Sequence, residues 1–304
     1  MAETEAETEF SPKAAVRKLV RTLRPHPPKP PARTTSKAGR NLPAAVGTAV
    51  VLLTVFALSL VVRIEIFVAL AVVFLGIGLW EYAGAVMARE IRIAFLPLLA
   101  GQTLMLLCTW VYGLTHALTV LLIWCALYPA LRKTDSRENL SRSVAGTFAL
   151  AWIGFSGCFA VAMAAEGSAG PKLIAALILL PVANDTGGWL LGVLFGRHPI
   201  AASISPKKSW EGFFGSFLLA LAASALTVGL LIGLSWKWVL IFGAATPVLA
   251  TAGDFAESML KRDLGIKDMG SIFPGHGGML DRLDSILFCG PTFYFLFLFA
   301  LNFS

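Results

Sequence analysis

Residues 253–285 read GDFAESMLKRDLGIKDMGSIFPGHGGMLDRLDS, between WKWVLIFGAATPVLATA (236–252) and ILFCGPTFYFLFLFALN (286–302). The flanks are apolar enough for a bilayer, whereas the centre carries carboxylates, four basic residues, a histidine and a Gly-rich turn. The pattern predicts a polar, chemically active loop suspended between two membrane-spanning helices.

The rest of the chain supplies the membrane. Its 304 residues are 57% hydrophobic and 14% charged, with a mean hydropathy of +0.75; soluble domains carry about a quarter charged residues. Apolar runs near 43–62, 65–87, 93–111, 115–131, 144–164, 172–195, 211–233, 236–257 and 284–302 each approach the roughly 20 residues that cross a bilayer as helix. An all-α polytopic membrane protein of about nine spans follows. The period-2 alternation of a β-barrel is absent, and so is any internal repeat.

Lys and Arg set the expected orientation, because they concentrate in cytoplasmic segments. With the N-terminus inside, 22 of the 25 basic residues fall on that side, leaving Arg63, Lys172 and Lys237 outside. The net charge of +7 is then a topology signal that also favours anionic lipid headgroups, and no nucleic-acid partner is required. Residues 1–41 are read as a separate cytoplasmic tail, acidic at first and Pro-rich later, unable to bury a core. Within it Val16, Leu19, Val20 and Leu23 recur at helical spacing among basic residues, suiting an amphipathic helix or a plain basic tail. No apolar segment of signal-peptide type precedes residue 42. The transmembrane domain is 42–304. Cys108, Cys125, Cys158 and Cys289 lie in apolar spans without C-x-x-C spacing and read as packing residues.

Three clusters carry chemistry. Asp254, Glu257, Ser258 and Lys261 fall at i, i+3, i+4, i+7, one polar stripe on a continuous helix. In the loop, Lys261, Arg262, Lys267 and Arg282 offer cationic donors. Gly275, Gly277 and Gly278 let backbone amides approach a phosphate, and His276 could donate a hydrogen bond to phosphate or serve as an acid. Asp281 and Asp284, i and i+3 at the start of the last helix, can hold a hard cation, Mg²⁺ being the natural choice, or simply cap that helix. Finally Asn184, Asp185 and Thr186 interrupt an apolar run, as a packing knot or as the wall of a hydrated cavity, and SISPKKSWEG (203–212) follows on the same side. Carboxylates beside cations suit a metal-bound nucleoside triphosphate.

The stretch from Ser258 to Asp284 resembles the signature of the phosphatidate cytidylyltransferase (CDP-diacylglycerol synthase) family: S-x-x-K-R, then K-D, a Gly, F-P-G-H-G-G and D-R-x-D. SISPKKSWEG is similar to the family's second motif. The resemblance implies transfer of a cytidylyl group from CTP to phosphatidate, with Mg²⁺, one or two cations being open, in a cavity facing the cytoplasm and the inner leaflet. It makes Asp254, Asp281, Lys261 and His276 the catalytic candidates. By matching position Asp254 and Asp281 become the leading metal ligands with Asp284 close by, and Asp185 joins the metal candidates from the reading of its own surroundings. Ser205, Lys207, Lys208, Ser258, Arg262, Lys267, Arg282, Gly275, Gly277 and Gly278 become the substrate-binding set. A homodimer is left open. Two other readings remain at this level: a CTP-using lipid kinase, separated by its nucleotide product, and an ion-coupled transporter, disfavoured by the lack of repeated halves.

Overall fold

A computed structural model describes residues 25–28, 42–131, 136–201, 205–272 and 277–302. The proposed amphipathic segment of the tail, residues Gly275 and His276, and the side chain of Lys207 lie outside the described residues.

The described chain is almost wholly helical. Helix α1 (Leu42–Val62) leads into α2 (Ile64–Val86), which ends in a 3₁₀ turn at Met87–Arg89. Helices α3 (Phe95–Tyr112) and α4 (Leu114–Leu127) follow. Helices α5 (Ser136–Ala149) and α6 (Ser156–Ala164) form one span through a π-helical stretch, Leu150–Phe155. Next come α7 (Gly170–Phe195), α8 (Trp210–Ser224, prolonged as π-helix to Ile232), α9 (Trp236–Leu264) and α10 (Leu280–Asn302). Among the described residues, eight segments are long and apolar enough to cross a membrane, and α1 is a ninth apolar helix of 21 residues. The chain is an integral membrane protein with the span order expected from its hydropathy.

Two features differ from the sequence expectation. The spans are longer at their polar ends: α9 runs to Leu264 rather than 257, and α10 begins at Leu280 rather than 284. Hydropathy stops at the first charges, but a helix continues wherever its terminal amides and carbonyls find partners. The second is a short hairpin, β1 (Pro199–Ala201) with β2 (Ser205–Ser209), pairing Pro199 with Ser209 and Ala201 with Ser205. A hairpin this small gives little sequence signal. It is fastened to α8 by Glu211, whose carboxylate accepts the amides of Arg197 and His198 at 3.1 and 3.3 Å and pairs with the His198 ring at 2.6 Å. Ser209 caps α8 by accepting the Gly212 amide at 3.1 Å.

Packing is close where the sequence is rich in small residues. Helices α7 and α8 meet through Gly187 and Gly215, each placed so that an added Cβ would strike the other's carbonyl oxygen. Ser216 Oγ, on the same face, donates to the Asn184 carbonyl at 2.8 Å. Small residues let helix backbones approach in lipid, where no hydrophobic force pulls helices together. The core between α9 and α10 is aromatic instead: Phe242 stacks on Phe297 at 4.3 Å and meets Phe293 edge-on. Cys158 in α6 and Cys289 in α10 are buried free thiols, as packing residues should be.

This architecture gathers three connections on one face. Arg89, after α2, donates to the Asp263 carbonyl at the end of α9, while Lys208 of β2 reaches Asp254 in α9. The alternating spans predicted that these connections share a side.

Because the atoms facing Gly187 and Gly215 are backbone, neither can move aside. Gly215→Leu should destabilise the protein by about 2 kcal/mol or more, read as a lowered thermal midpoint in detergent, whereas Gly47→Ala, whose added methyl meets nothing within 4 Å, should leave the midpoint unchanged or slightly raised.

Candidate active site

The site grows from the end of α9. Asp254, Glu257 and Lys261 share one face as their spacing requires, and the helix stops one turn later in a Schellman motif. Gly265, in the left-handed region at φ 74°, donates to the Arg262 carbonyl at 3.0 Å, and Ile266 donates to the Lys261 carbonyl at 2.9 Å. The chain thereby turns back toward α10 with Lys261 pointing inward. Lys261 Nζ donates to Glu257 Oε2 and to Asp281 Oδ1, both at 2.8 Å, and all three side chains are largely buried.

Asp281 does more than receive this lysine. Its Oδ2 accepts the amides of Met269 at 3.0 Å and Gly278 at 2.8 Å. Both oxygens are engaged, so Asp281 closes the neck of the signature loop and holds Lys261 rather than standing as a bare carboxylate. The sequence offered Asp281 as a metal ligand or a helix cap. It is neither a plain cap nor unpartnered; it ties the loop's two ends to α9.

A second acidic group lies beside it. Asp254 pairs with Lys208 through Oδ2 and accepts the Ser285 hydroxyl through Oδ1 at 2.8 Å. Asp284 Oδ1 accepts the Ser285 amide at 2.7 Å, and the Asp284 carboxyl lies within hydrogen-bonding reach of Glu257. Asp185 takes the Asn184 side-chain amide at 3.0 Å and stands within the field of Asp254, Lys208 and Arg282. It is exposed although mid-helix, as the wall of a polar recess would be. The α7 interruption and α9 stripe therefore converge, which their separation in sequence concealed.

Other expected residues stand at the margin. Arg262 and Lys267 are exposed, and among the described residues neither forms a salt bridge. Ser258 is half-buried beside the stripe, and Ser205 begins β2. Gly277 adopts φ 78°, a left-handed conformation that suits glycine. A Cβ on Gly278 would collide with the carboxylate of Glu81.

Glu81 was not among the expected site residues. Its relative exposure is 2%, and Oε2 accepts the Leu280 amide at 2.9 Å, across 199 residues of sequence. Its surroundings in sequence, LWEYAG, carry no motif. An acidic residue deep in an otherwise apolar run was the available signal.

The donor set can be tested against a divalent cation. Glu257 Oε1 is buried without a hydrogen-bond partner, beside Asp284, so two carboxylates approach with no donor between them. Among the described residues, no three His, Cys, Asp or Glu side chains close a metal cage by themselves. Mg²⁺ typically takes one or two carboxylates and completes its shell with water and substrate phosphates. The residues present fit such a partial site.

The chain matches the Cytidylyltransferase family over residues 43–300. It belongs to that family. It is 36% identical to the phosphatidate cytidylyltransferase of Mycobacterium leprae over 273 residues, covering 84% of this chain and 87% of the relative. The Mycobacterium bovis phosphatidate cytidylyltransferase is 37% identical over 274 residues, covering 84% and 88%. Phosphatidate cytidylyltransferase 5, chloroplastic, from Arabidopsis thaliana is 46% identical over 117 residues, covering 37% and 28%. The family match reaches into every described span, from α1 to α10.

Removing Lys261 would leave Glu257 and Asp281 buried without their cation. Lys261→Ala should therefore cost about 3–5 kcal/mol, seen as a large fall in thermal midpoint. The double variant Lys261→Met/Glu257→Gln should recover much of that stability, since the trio returns to its wild-type net charge and only Asp281, held by two amides, stays ionised. Measured activity should remain lost in both.

Proposed function

We propose that the protein transfers the cytidylyl group of CTP to phosphatidate, releasing pyrophosphate and forming CDP-diacylglycerol. The observation that carries this reading is the convergence of Asp254, Asp284, Asp281 and Lys261 at the neck of the signature loop, in a chain matched along most of its length by phosphatidate cytidylyltransferases.

The chemistry asks for positioning rather than a strong base. A phosphate monoester is already an anionic nucleophile near neutral pH. One of its oxygens attacks the α-phosphorus of CTP, a new P–O bond forms, and the bond from the α-phosphorus to the β-bridging oxygen breaks as pyrophosphate departs with the electron pair. Catalysis then rests on bringing two polyanions together and neutralising charge as it moves to the leaving group. Asp254 and Asp284, with Glu257 and Asp185 beside them, would hold Mg²⁺, which would screen phosphate charge and polarise a phosphoryl oxygen. Asp281 holds Lys261 and the loop amides in register. Lys208 and Arg282, beside the acidic group, and the exposed Arg262 and Lys267 supply cationic donors to the phosphates. Ser205, Ser258, Lys207, Gly275, Gly277 and His276 complete the set by their place in the motifs.

The site faces the cytoplasm in this reading, with the lipid entering from the inner leaflet. The distribution of Lys and Arg supports it, as does the meeting of the connections after α2, α7 and α9 on one face.

The deciding assay uses purified protein, phosphatidate, Mg²⁺ and CTP labelled at either the α or the γ phosphate. Label from the α position should enter lipid and label from the γ position should leave as pyrophosphate; entry of γ label into lipid would mean kinase chemistry, and retention of both labels in CTP would overturn transfer altogether. Chelation should abolish turnover and added Mg²⁺ restore it, a result that metal-independent activity would contradict. Asp281→Asn should lower kcat by about two orders of magnitude or more while the protein still inserts and purifies; near-normal turnover in that variant would remove Asp281 from the site.

A further inference from the structure

The inner end of α2 touches both ends of the α9–α10 connection. Arg89 donates from Nε at 2.7 Å, and also from Nη2, to the Asp263 carbonyl, where α9 is about to end. Eight residues earlier Glu81 accepts the Leu280 amide at 2.9 Å, where α10 begins. A cation thus meets a helix C-terminus and an anion meets a helix N-terminus, the favourable sense at each end. No other described element makes both contacts.

Glu81 also explains two glycines of the signature. An added Cβ at Gly270 would fall on the Glu81 carboxylate, and so would one at Gly278. Gly278 has no positive φ that would demand glycine for conformation, nor has Gly270. The sequence suggested that Gly278, with Gly275 and Gly277, admits a phosphate; at Gly278, as at Gly270, the space is filled by a carboxylate of the protein's own second helix. Gly270 and Gly278 flank the neck that Asp281 closes through Met269 and Gly278. Two carboxylates from distant helices therefore clamp the same neck, Asp281 from within the motif and Glu81 from 188 or more residues away.

We infer that Glu81 is a positioning residue of the active site: by accepting the Leu280 amide and filling the space between Gly270 and Gly278, it fixes the loop neck from which Asp281 and Lys261 act. Its second oxygen, Oε1, is buried without a hydrogen-bond partner, so the contact is made by one acceptor and by shape. The inference rests on the function proposed above and adds one assignment to it, that the signature loop holds CTP rather than the lipid.

The test compares full-length variants in detergent, with separate titrations of CTP and phosphatidate. Glu81→Ala should raise KM for CTP by about tenfold and leave KM for phosphatidate within about twofold, because a loosened neck weakens one substrate site and not the other. Glu81→Gln keeps the shape and one carbonyl acceptor, and should stay within about threefold of wild type in both constants. Gly278→Ala should behave at least as badly as Glu81→Ala. In the Glu81→Ala background the same added methyl should cost no more than about twofold further, since its obstacle is gone.

A variant that loses active protein with both KM values unchanged would mean a general folding role and overturn the inference. So would a Glu81→Gln defect equal to that of Glu81→Ala, or fully additive effects of Glu81→Ala and Gly278→Ala. If the Ala variant fails to fold, Glu81→Asp replaces it, drawing the acceptor back from Leu280 and raising KM for CTP by about fivefold, against near-normal Glu81→Gln. Should wild-type protein transfer no α label, the functional reading fails, and Glu81 is judged instead by tryptic cleavage after the exposed Lys267. Cleavage several-fold faster in Glu81→Ala and unchanged in Glu81→Gln would support the clamp; equal rates in all three would overturn it.

Discussion

The bridge from Lys261 to Glu257 and Asp281 is the interaction on which the site depends. Three charges are taken out of water at the end of a membrane helix, where each alone would cost several kcal/mol. Together they join α9 to α10 at a fixed distance, with both hydrogen bonds at 2.8 Å. From that link follow the direction in which the loop leaves α9, the placing of Asp281 against the Met269 and Gly278 amides, and the approach of Asp284 to Glu257. A pair of carboxylates competing for one ammonium group also leaves negative charge in excess, which is what a site for a divalent cation requires.

The remainder of the fold serves as a frame for this link. Tight glycine packing of α7 on α8 brings Asp185 and the β1–β2 hairpin to the same recess, and the hairpin presents Lys208 to Asp254. The aromatic packing of Phe242, Phe293 and Phe297 keeps α9 and α10 in register below the polar layer. On the opposite side α2 holds the loop neck through Glu81 and the α9 terminus through Arg89. Site residues thus come from α2, α7, β2, α9 and α10, so packing far from the chemistry governs its geometry.

Much of this was legible in the chain. Nine apolar runs announced, in the right order, the eight spans and the apolar α1 of the described residues, because bilayer thickness imposes a length that composition reports directly. The 258–284 motif identified the family, and the helical period placed Asp254, Glu257 and Lys261 on one face, as the structure has them. What escaped were interactions without a local signal. The pairing of Lys208 with Asp254 depends on a hairpin too short to show periodicity. Glu81 sits in a run that hydropathy reads only as membrane, and Arg89 counted as a marker of orientation. Asp281, whose spacing suggested a ligand or a cap, is engaged on both oxygens, one by Lys261 and the other by backbone amides that carry no sequence identity.

The acidic bias of the polar layer, buried at Glu81, Glu257, Asp281 and Asp284 and open at Asp185, bears on how two polyanions could be accepted there. Glu81, Asp185, Asp254, Glu257, Asp281 and Asp284 face Lys208, Lys261 and Arg282, and a phosphate entering such a field unaided would be repelled. Two arrangements remove the repulsion. Exposed Arg262 and Lys267, free of salt bridges among the described residues, can meet the phosphates before they reach the carboxylates, and a cation arriving with the triphosphate offsets the acids at the point of contact. On the proposed function, charge would then be balanced only when nucleotide and metal enter together. A metal-free triphosphate meets uncompensated carboxylates, and a lipid phosphate alone meets the same field. On the function proposed above, the excess of acids would favour the metal complex of the nucleotide over the free nucleotide, and the Lys261 bridge limits the cost of holding that excess.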